Sequence, residues 1–173
     1  MTKDDIIKRL QEIGVIHKEK VTLRSGKTSD FYCDIKKAYG YPDILNALAD
    51  EIGKLLPKDT TCIASSGYGG LPLGAVVASR FNKKFTAVRS AEKNHGKAGL
   101  INAYIPNAKD RVVIVDDVLT SGSSIRETLA SIQEQSVETI SAVVVIDRGS
   151  PKLPILYSYL FTIEEILGNS TNS

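Results

Sequence analysis

The sequence predicts an α/β fold built on a doubly wound, mostly parallel sheet of five strands flanked by helices. Two continuous β-branched runs, Val112 to Val115 and Ala142 to Ile146, are typical of strands buried on both faces of a parallel sheet. From residue 61 onwards, short apolar runs alternate with helical segments, which implies right-handed βαβ crossovers. In such sheets ligands bind beyond the carboxyl ends of the strands.

A first helix is predicted over residues 4–13. Thr2 and Asp5 have the spacing of a capping box, and Gly14 is a typical stop signal. One face of this helix is apolar, being formed by Ile6, Ile7, Leu10 and Ile13.

The elements that follow are read from turn residues and apolar periodicity. Strand-like runs at 21–23 and 31–35 flank a turn and predict a hairpin, and a second helix is expected from Pro42 to Pro57. Further strands and helices are predicted in alternation at 61–65, 71–81, 84–88, 111–115, 123–133 and 142–146.

Composition excludes several classes of protein. With 22 basic and 20 acidic residues among 173, the net charge of +2 gives no electrostatic case for nucleic acid. No apolar run approaches the roughly 20 residues that span a bilayer, and the first residues lack a signal-peptide pattern. Cys33 and Cys62 lie in strand-like runs and are expected to be buried, inert thiols. We therefore expect a cytoplasmic protein with no membrane partner.

The segment VVIVDDVLTSGSSI, residues 112–125, carries the strongest functional signal. A buried strand delivers Asp116 and Asp117 to its carboxyl end, and residues 120–124 then open a helix. Small residues and free N–H groups at a helix N-terminus suit a phosphate. Two carboxylates beside that anion need hydroxyl groups or a divalent cation as partners, and a sugar phosphate supplies both. The alternative is an ordinary helix cap with two solvated aspartates.

This segment resembles the phosphoribosyl pyrophosphate signature of the type I phosphoribosyltransferases. The resemblance implies that Asp116 and Asp117 accept hydrogen bonds from the ribose hydroxyls and orient Mg²⁺ through water and substrate. It also implies that the residues after them surround the 5-phosphate, namely Val118, Leu119, Thr120, Ser121, Gly122, Ser123 and Ser124.

Other segments resemble the orotate branch of that family. VTLRSGKTSDFY (21–32) is similar to its amino-terminal hairpin, and the tail LYSYLFTIEEIL to its closing strand and helix. The resemblance places Arg24, Tyr32, Thr120 and Arg148 at orotate, with Phe31 beside the base. Arg148 follows an apolar strand, where its charge needs an anionic partner. That partner is either orotate or an acid such as Asp147.

Contacts to pyrophosphate are implied by two further segments. Arg89, Lys93 and His95 match a mobile loop that closes over pyrophosphate, and Lys93, His95 and Asp117 are the implied catalytic residues. Residues 65–70 read as a small-residue loop between a strand and a helix, which would bring Tyr68 and Gly69 to the same ligand.

The implied protein is a single phosphoribosyltransferase domain over residues 1–173, with a hood formed by about 1–40 and 150–173. It would transfer the phosphoribosyl group to orotate with Mg²⁺, in pyrimidine (UMP) biosynthesis. Members of the family share the mobile loop across a homodimer, so a homodimer is expected.

Two alternatives stay open. Ser90 and Gly69 stand where many members have a basic residue, which favours a regulatory protein that binds phosphoribosyl pyrophosphate without turnover. No DNA-binding segment is recognisable to support that reading. A purine phosphoribosyltransferase would share the 112–125 signature, but it leaves the 21–32 hairpin and Arg148 unexplained.

Overall fold

The chain opens with helix α1 (Lys3–Ile13) in this computed structural model, which describes residues 1–17, 21–22, 28–29, 31–89 and 101–168. The predicted capping box is present, because the Thr2 side chain accepts from the Asp5 N–H and the Asp5 carboxylate accepts from the Thr2 N–H. Gly14 ends the helix in the left-handed conformation, at φ 71°. The predicted first helix is therefore confirmed with its caps.

Four two-residue strands follow, and they pair in a nested arrangement. β1 (Ile16–His17) pairs antiparallel with β4 (Tyr32–Cys33), and between them β2 (Val21–Thr22) pairs with β3 (Thr28–Ser29). The predicted hairpin between residues 21–23 and 31–35 is wrong in its second strand, because β2 pairs with residues 28–29, which include Thr28 of the expected turn. Within 31–35, Tyr32 and Cys33 pair with β1 and Ile35 begins a 3₁₀ helix, which the sequence pattern did not reveal.

The remaining elements alternate as predicted. A 3₁₀ helix (Ile35–Gly40) leads into α2 (Pro42–Leu55), which starts at Pro42 as expected. The elements after α2 are β5 (Cys62–Ser66), α3 (Gly67–Arg80), β6 (Lys84–Val88), β7 (Ile101–Ala103), β8 (Arg111–Leu119), α4 (Ser123–Gln133), β9 (Glu138–Asp147), β10 (Tyr157–Thr162) and α5 (Ile163–Leu167).

One central sheet has the strand order β10-β9-β8-β5-β6-β7. Five of its strands are parallel, and β7 pairs antiparallel with β6 at one edge. The predicted mostly parallel sheet is confirmed, with β7 as a sixth strand beyond the five expected. This strand has only three residues, too few for a periodic pattern to reveal it.

Helices cover both faces of the sheet. Val113 and Val115 of β8 pack into a core with α1, α2 and α3, whereas Val112 and Ile114 pack into a second core with α4. Side chains alternate between the faces of a strand, so this division follows from the continuous apolar run in β8. The doubly wound arrangement is the one that the sequence predicts.

Two boundaries differ from prediction in ways that matter for function. Residues 65–70 are not a loop, because β5 extends to Ser66 and α3 begins at Gly67. β8 does not stop before the aspartates but continues to Leu119, since its ladder with β9 runs on to the pair Leu119↔Asp147. In both places tertiary pairing extends an element beyond its local pattern.

The C-terminal elements connect the sheet to α1. β10 lies within the segment 150–173 assigned to the hood, and it is an edge strand of the central sheet, paired with β9 from Tyr157↔Ala142 to Thr162↔Asp147. Helix α5 contacts α1 through a hydrogen bond of 2.8 Å from Gln11 Nε2 to the carbonyl of Ile166.

Cys33 and Cys62 are free and buried, as predicted. No helix in the described part of the chain has the length and apolar character needed to cross a membrane.

Candidate active site

The strand order places a candidate site between β5 and β8. From β5 the chain winds outwards to β6 in one direction, and from β8 it winds to β9 and β10 in the other. The two halves diverge at this point, which leaves a crevice at the carboxyl ends of β5 and β8. Asp116 and Asp117 near the end of β8, and the start of α3 directly after β5, both lie here.

The two aspartates lie against the first turn of α3. A Cβ atom placed on Gly69 would be 2.0 Å from Asp117 Oδ2, and one placed on Gly70 would be 2.9 Å from Asp116 Oδ1. The absence of a side chain at Gly69 therefore permits this close approach of the Asp117 carboxylate, and Gly69 has no left-handed φ angle. The predicted contact of Gly69 with pyrophosphate stays a prediction.

Asp116 is a buried carboxylate whose charged form is disfavoured. Its side chain is buried, with 7% of its surface exposed, and its Oδ1 accepts from the N–H of Asp117 at 3.0 Å. Burial, followed by the charge of Asp117, raises the pKa of Asp116 well above its ordinary value, and a hydrogen bond from Ser124 partly opposes that shift. Such a group gains from a cation or from hydroxyl donors, which is the chemistry predicted for it.

The loop after β8 leads directly into α4. Gly122 caps α4 with φ 78°, and Ser121 Oγ and Ser123 Oγ lie 3.2 Å apart at the helix N-terminus. Arg126 holds the loop from outside by donating to the carbonyls of Ser121 and Lys152, each at 2.7 Å. A helix N-terminus with exposed hydroxyl groups and small residues can hold a phosphate.

Val118 and Leu119 sit in the middle of this motif but differ from their neighbours. The Leu119 side chain is 2% exposed and belongs to the core beneath α4, and Val118 packs against the opposite core. Of these two predicted ligand contacts, Leu119 can therefore offer only its backbone. Thr120 lies beside Gly149, where an added Cβ would be 2.3 Å from the Thr120 carbonyl oxygen.

Arg148 lies at the end of β9, on the strand next to the aspartates. Its guanidinium packs over the Phe31 ring at 4.4 Å, and its Nη2 donates to the Phe31 carbonyl at 3.0 Å. The Asp147 carboxylate accepts from the N–H groups of Gly149 and Ser150 and from the hydroxyls of Ser150 and Tyr157. Phe31 and Arg148, both expected near orotate, therefore contact each other, and their contact with orotate stays a prediction.

The other predicted contacts divide into two groups. Tyr32, Tyr68 and Arg89 are exposed, and Arg89 directly follows β6 at the carboxyl edge of the sheet. Tyr68 is 87% exposed in the first turn of α3, which leaves its ring open to a ligand. Arg24, Lys93 and His95, together with Ser90, lie outside the described residues.

Sequence reasoning missed two residues of the 3₁₀ helix that interact with the site, Lys36 and Tyr39. Burial alone would lower the pKa of Lys36, but its ion pair of 2.6 Å with Asp34 and, to a smaller extent, the charge of Asp117 raise it. Tyr39 donates to the carbonyl of Gly69 at 2.9 Å, and its burial, with the charges of both site aspartates, raises its pKa. In the local sequence, only the adjacent lysines Lys36 and Lys37 and the aromatic residues within 31–39 could have indicated these contacts.

Cys33 is a buried thiol of the core that contains α1, α2 and α3. Burial raises the pKa of its thiol to about 12, and the charges of Arg148 and Asp117 act on it in opposite directions. The thiol therefore stays protonated and serves as apolar packing.

The fold and the crevice together define the class of protein. The family model of the phosphoribosyl transferase domain matches residues 41–172, which include the aspartates and the 120–124 loop. The chain therefore belongs to the phosphoribosyl transferase domain family.

Several proteins similar to this chain are orotate phosphoribosyltransferases. The chain is 36% identical over 148 residues to the orotate phosphoribosyltransferase of Methanopyrus kandleri, covering 86% of this chain and 79% of the relative. It is 38% identical over 128 residues to the enzyme of the same name from Methanocorpusculum labreanum, covering 73% of each. The crystal structure of orotate phosphoribosyltransferase from Aeropyrum pernix superimposes with a TM-score of 0.84 at 26% identity, covering 95% of this chain and 97% of that one.

Proposed function

We propose that this chain is an orotate phosphoribosyltransferase, which transfers the phosphoribosyl group of phosphoribosyl pyrophosphate to orotate. The observation that carries the proposal is the juxtaposition of two features on adjacent strands. β8 and its loop present a pair of carboxylates followed by a helix N-terminus, and β9 ends in Arg148 packed on Phe31. The first suits a sugar phosphate, and the second suits a planar anionic base.

The sugar phosphate would lie along the carboxyl end of β8. Asp116 and Asp117 would accept hydrogen bonds from the two ribose hydroxyls, which would add to the N–H of Asp117 that the buried Asp116 already accepts. The 5-phosphate would lie at the N-terminus of α4, where Thr120, Ser121, Ser123 and backbone N–H groups can donate to it.

Orotate would lie between this loop and Arg148. A guanidinium binds a carboxylate through two parallel hydrogen bonds, and orotate carries such a carboxylate on a flat ring. Packing on Phe31 fixes the plane of the guanidinium, so the fork is oriented before the ligand binds. Tyr32 and Thr120 remain proposed contacts on the two sides of the base.

The reaction breaks the bond from the anomeric carbon to pyrophosphate and forms a bond from that carbon to N1 of orotate, whose proton is released. Positive charge develops on the sugar and negative charge on the leaving group, as in glycoside hydrolysis. Residues of the chain act by holding the ribose through the aspartates and by aligning the base. Arg89, Lys93 and His95 remain proposed partners of the leaving pyrophosphate.

Mg²⁺ fits this donor set only in company with the substrate. In the described part of the chain, no group of three or more His, Cys, Asp or Glu side chains could hold a metal ion. Asp116 and Asp117 supply two carboxylates, so pyrophosphate, ribose oxygens or water must complete the coordination that Mg²⁺ requires. When bound, Mg²⁺ would neutralise charge on the departing pyrophosphate.

A homodimer and a cytoplasmic location are also part of the proposal.

The test is the loss of orotate absorbance when purified protein is mixed with orotate, phosphoribosyl pyrophosphate and Mg²⁺. We expect turnover that requires the metal and falls by at least a factor on the order of 100 in Asp117→Asn. Adenine, hypoxanthine and uracil are assayed in parallel. Turnover of a purine instead of orotate would identify a purine phosphoribosyltransferase. Tight binding of phosphoribosyl pyrophosphate with no turnover of any base would identify a regulatory protein.

A further inference from the structure

Two loops at the carboxyl edge of the sheet run side by side. They are the β8–α4 loop (residues 120–122) and the β9–β10 loop (residues 148–156). The strand ladder that leads into them ends with a hydrogen bond of 2.9 Å from the Arg148 N–H to the Leu119 carbonyl. The first loop belongs to the proposed phosphate site, and the second carries the arginine proposed to bind the base. The two loops therefore bear the two halves of the proposed site.

Glycines bring the two loops into contact beyond the ladder. A Cβ atom on Gly149 would be 2.3 Å from the Thr120 carbonyl oxygen, so backbone lies on backbone there. A Cβ atom on Gly122 would be 2.5 Å from Cδ2 of Leu153, and Gly122 is buried although it lies in a loop. A side chain at either glycine would force the two loops apart.

Arg126, in the first turn of α4, bridges the two loops. Its Nη1 donates to the carbonyl of Ser121 in the β8–α4 loop, and its Nη2 donates to the carbonyl of Lys152 in the β9–β10 loop, each at 2.7 Å. The guanidinium is planar and rigid, so its two nitrogens fix the positions of both carbonyl oxygens at once. The bridge and the glycine contacts hold the same two segments together.

We propose that Arg126 is a positioning residue that holds the β8–α4 loop and the β9–β10 loop as one unit. Because this unit reaches from the phosphate site to Arg148, a ligand that orders the first loop also orders the arginine that faces the base. The two ligands are then coupled, each favouring the binding of the other. The inference rests on the proposed function in naming those ligands as a ribose phosphate and orotate.

A simpler role for Arg126 would be to attract the phosphate by its charge alone. Lysine at this position keeps the charge but has one nitrogen in place of two, so it separates the two roles. Gly149→Ala gives a second test that changes no charge. Gly149 has no left-handed φ angle, so alanine perturbs the contact with Thr120 without straining its own backbone.

The experiment compares Arg126→Gln, Arg126→Lys, Gly149→Ala and the double variant of Arg126→Gln with Gly149→Ala. Arg80→Gln is the control, since Arg80 is an exposed arginine that pairs with Asp50 on the outer surface. Calorimetry gives the affinity for ribose 5-phosphate, which has no pyrophosphate to lose and so does not react. It also gives the affinity for orotate with and without saturating ribose 5-phosphate. Thermal melting confirms that each variant is folded.

In the parent protein, we expect ribose 5-phosphate to tighten the binding of orotate. Arg126→Gln should weaken ribose 5-phosphate roughly three- to tenfold, the effect of one or two hydrogen bonds, and should reduce the tightening of orotate by a similar factor. Arg126→Lys should stay impaired, and Gly149→Ala should act in the same direction. The double variant should lose little more than either single one, because both changes break the same contact. Arg80→Gln should match the parent.

Three results would overturn the proposal. Parent values in Arg126→Lys would assign the effect to charge. Losses that multiply in the double variant would mean that Arg126 and Gly149 act by separate routes. An unchanged coupling between the two ligands in Arg126→Gln would mean that the loops respond independently. If the parent binds ribose 5-phosphate but does not turn over orotate, the proposed function fails, and the double variant still decides whether Arg126 joins the loops.

Discussion

The guanidinium of Arg148 packs on the ring of Phe31 at 4.4 Å, although 117 positions separate the two residues in the sequence. This contact joins the N-terminal segment to the end of β9. It holds the Arg148 guanidinium on the strand next to β8, which carries Asp116 and Asp117. The base-binding half of the proposed site therefore depends on two distant segments.

Arg148→Lys tests this half of the site. A lysine keeps the charge but loses the planar fork and its packing on Phe31. We expect KM for orotate to rise roughly 10- to 100-fold, the loss of hydrogen bonds to a charged group, with little change in KM for phosphoribosyl pyrophosphate. Arg80→Lys is the control, since Arg80 pairs with Asp50 on the outer surface of α2 and α3. A change confined to phosphoribosyl pyrophosphate would contradict the assignment.

Gly69→Ala tests the close approach of α3 to Asp117. Alanine favours a helix by roughly 1 kcal/mol over glycine. Its Cβ, however, would lie 2.0 Å from Asp117 Oδ2 and would displace that carboxylate. We expect kcat/KM for phosphoribosyl pyrophosphate to fall roughly 5- to 100-fold, while the protein stays folded. In Gly40→Ala the added Cβ meets nothing within 4 Å, so that variant should keep parent activity.

Asp116→Asn should separate stability from activity. Burial and the charge of Asp117 penalise the ionised form of Asp116, so its raised pKa means that stability is lost as pH rises past the unfolded-state value. An amide removes that penalty. At pH 8 we expect the melting temperature to rise by roughly 2–4 °C, for a gain of about 1 kcal/mol, while turnover is nearly abolished. A lower melting temperature would show that the carboxylate stabilises the fold.

Asp110, at the amino end of β8, should contribute to the stability of the protein in acid. Burial alone would raise its pKa, but hydrogen bonds from Lys84, the Asn107 N–H, Tyr104 and Thr61 outweigh burial and lower the pKa to about 2. A depressed carboxyl pKa stabilises the fold above the unfolded value near 3.8, and this contribution is lost as pH falls towards 2.

Asp110→Asn should therefore lower the melting temperature at pH 7 by roughly 3–10 °C, the effect of losing hydrogen bonds to a buried charge. It should also weaken the decline in stability between pH 4 and pH 2. Melting curves across that range, compared with Asp59→Asn at an exposed ion pair, measure both effects. An unchanged pH profile would mean that Asp110 is not responsible.

The sequence by itself determined the local elements and the chemistry of one motif. Thr2 and Asp5 define the start of α1, and the apolar run before Asp116 defines a buried parallel strand. The residues after Asp117 predict a phosphate loop, and they open a helix as expected. These features follow from neighbours along the chain, because capping, side-chain alternation and turn preferences act over a few residues.

Only the tertiary structure decided which distant groups meet at that motif. It set Gly69 against Asp117, Phe31 under Arg148, and Ser66 beside Ser124, and it extended β8 past the point where its apolar pattern ends. The strand order between β5 and β8 produces these contacts, and it depends on how separate helices bury their apolar faces against the sheet. Local sequence carries no record of that packing, since each contact joins residues that the fold, and not the chain, makes neighbours.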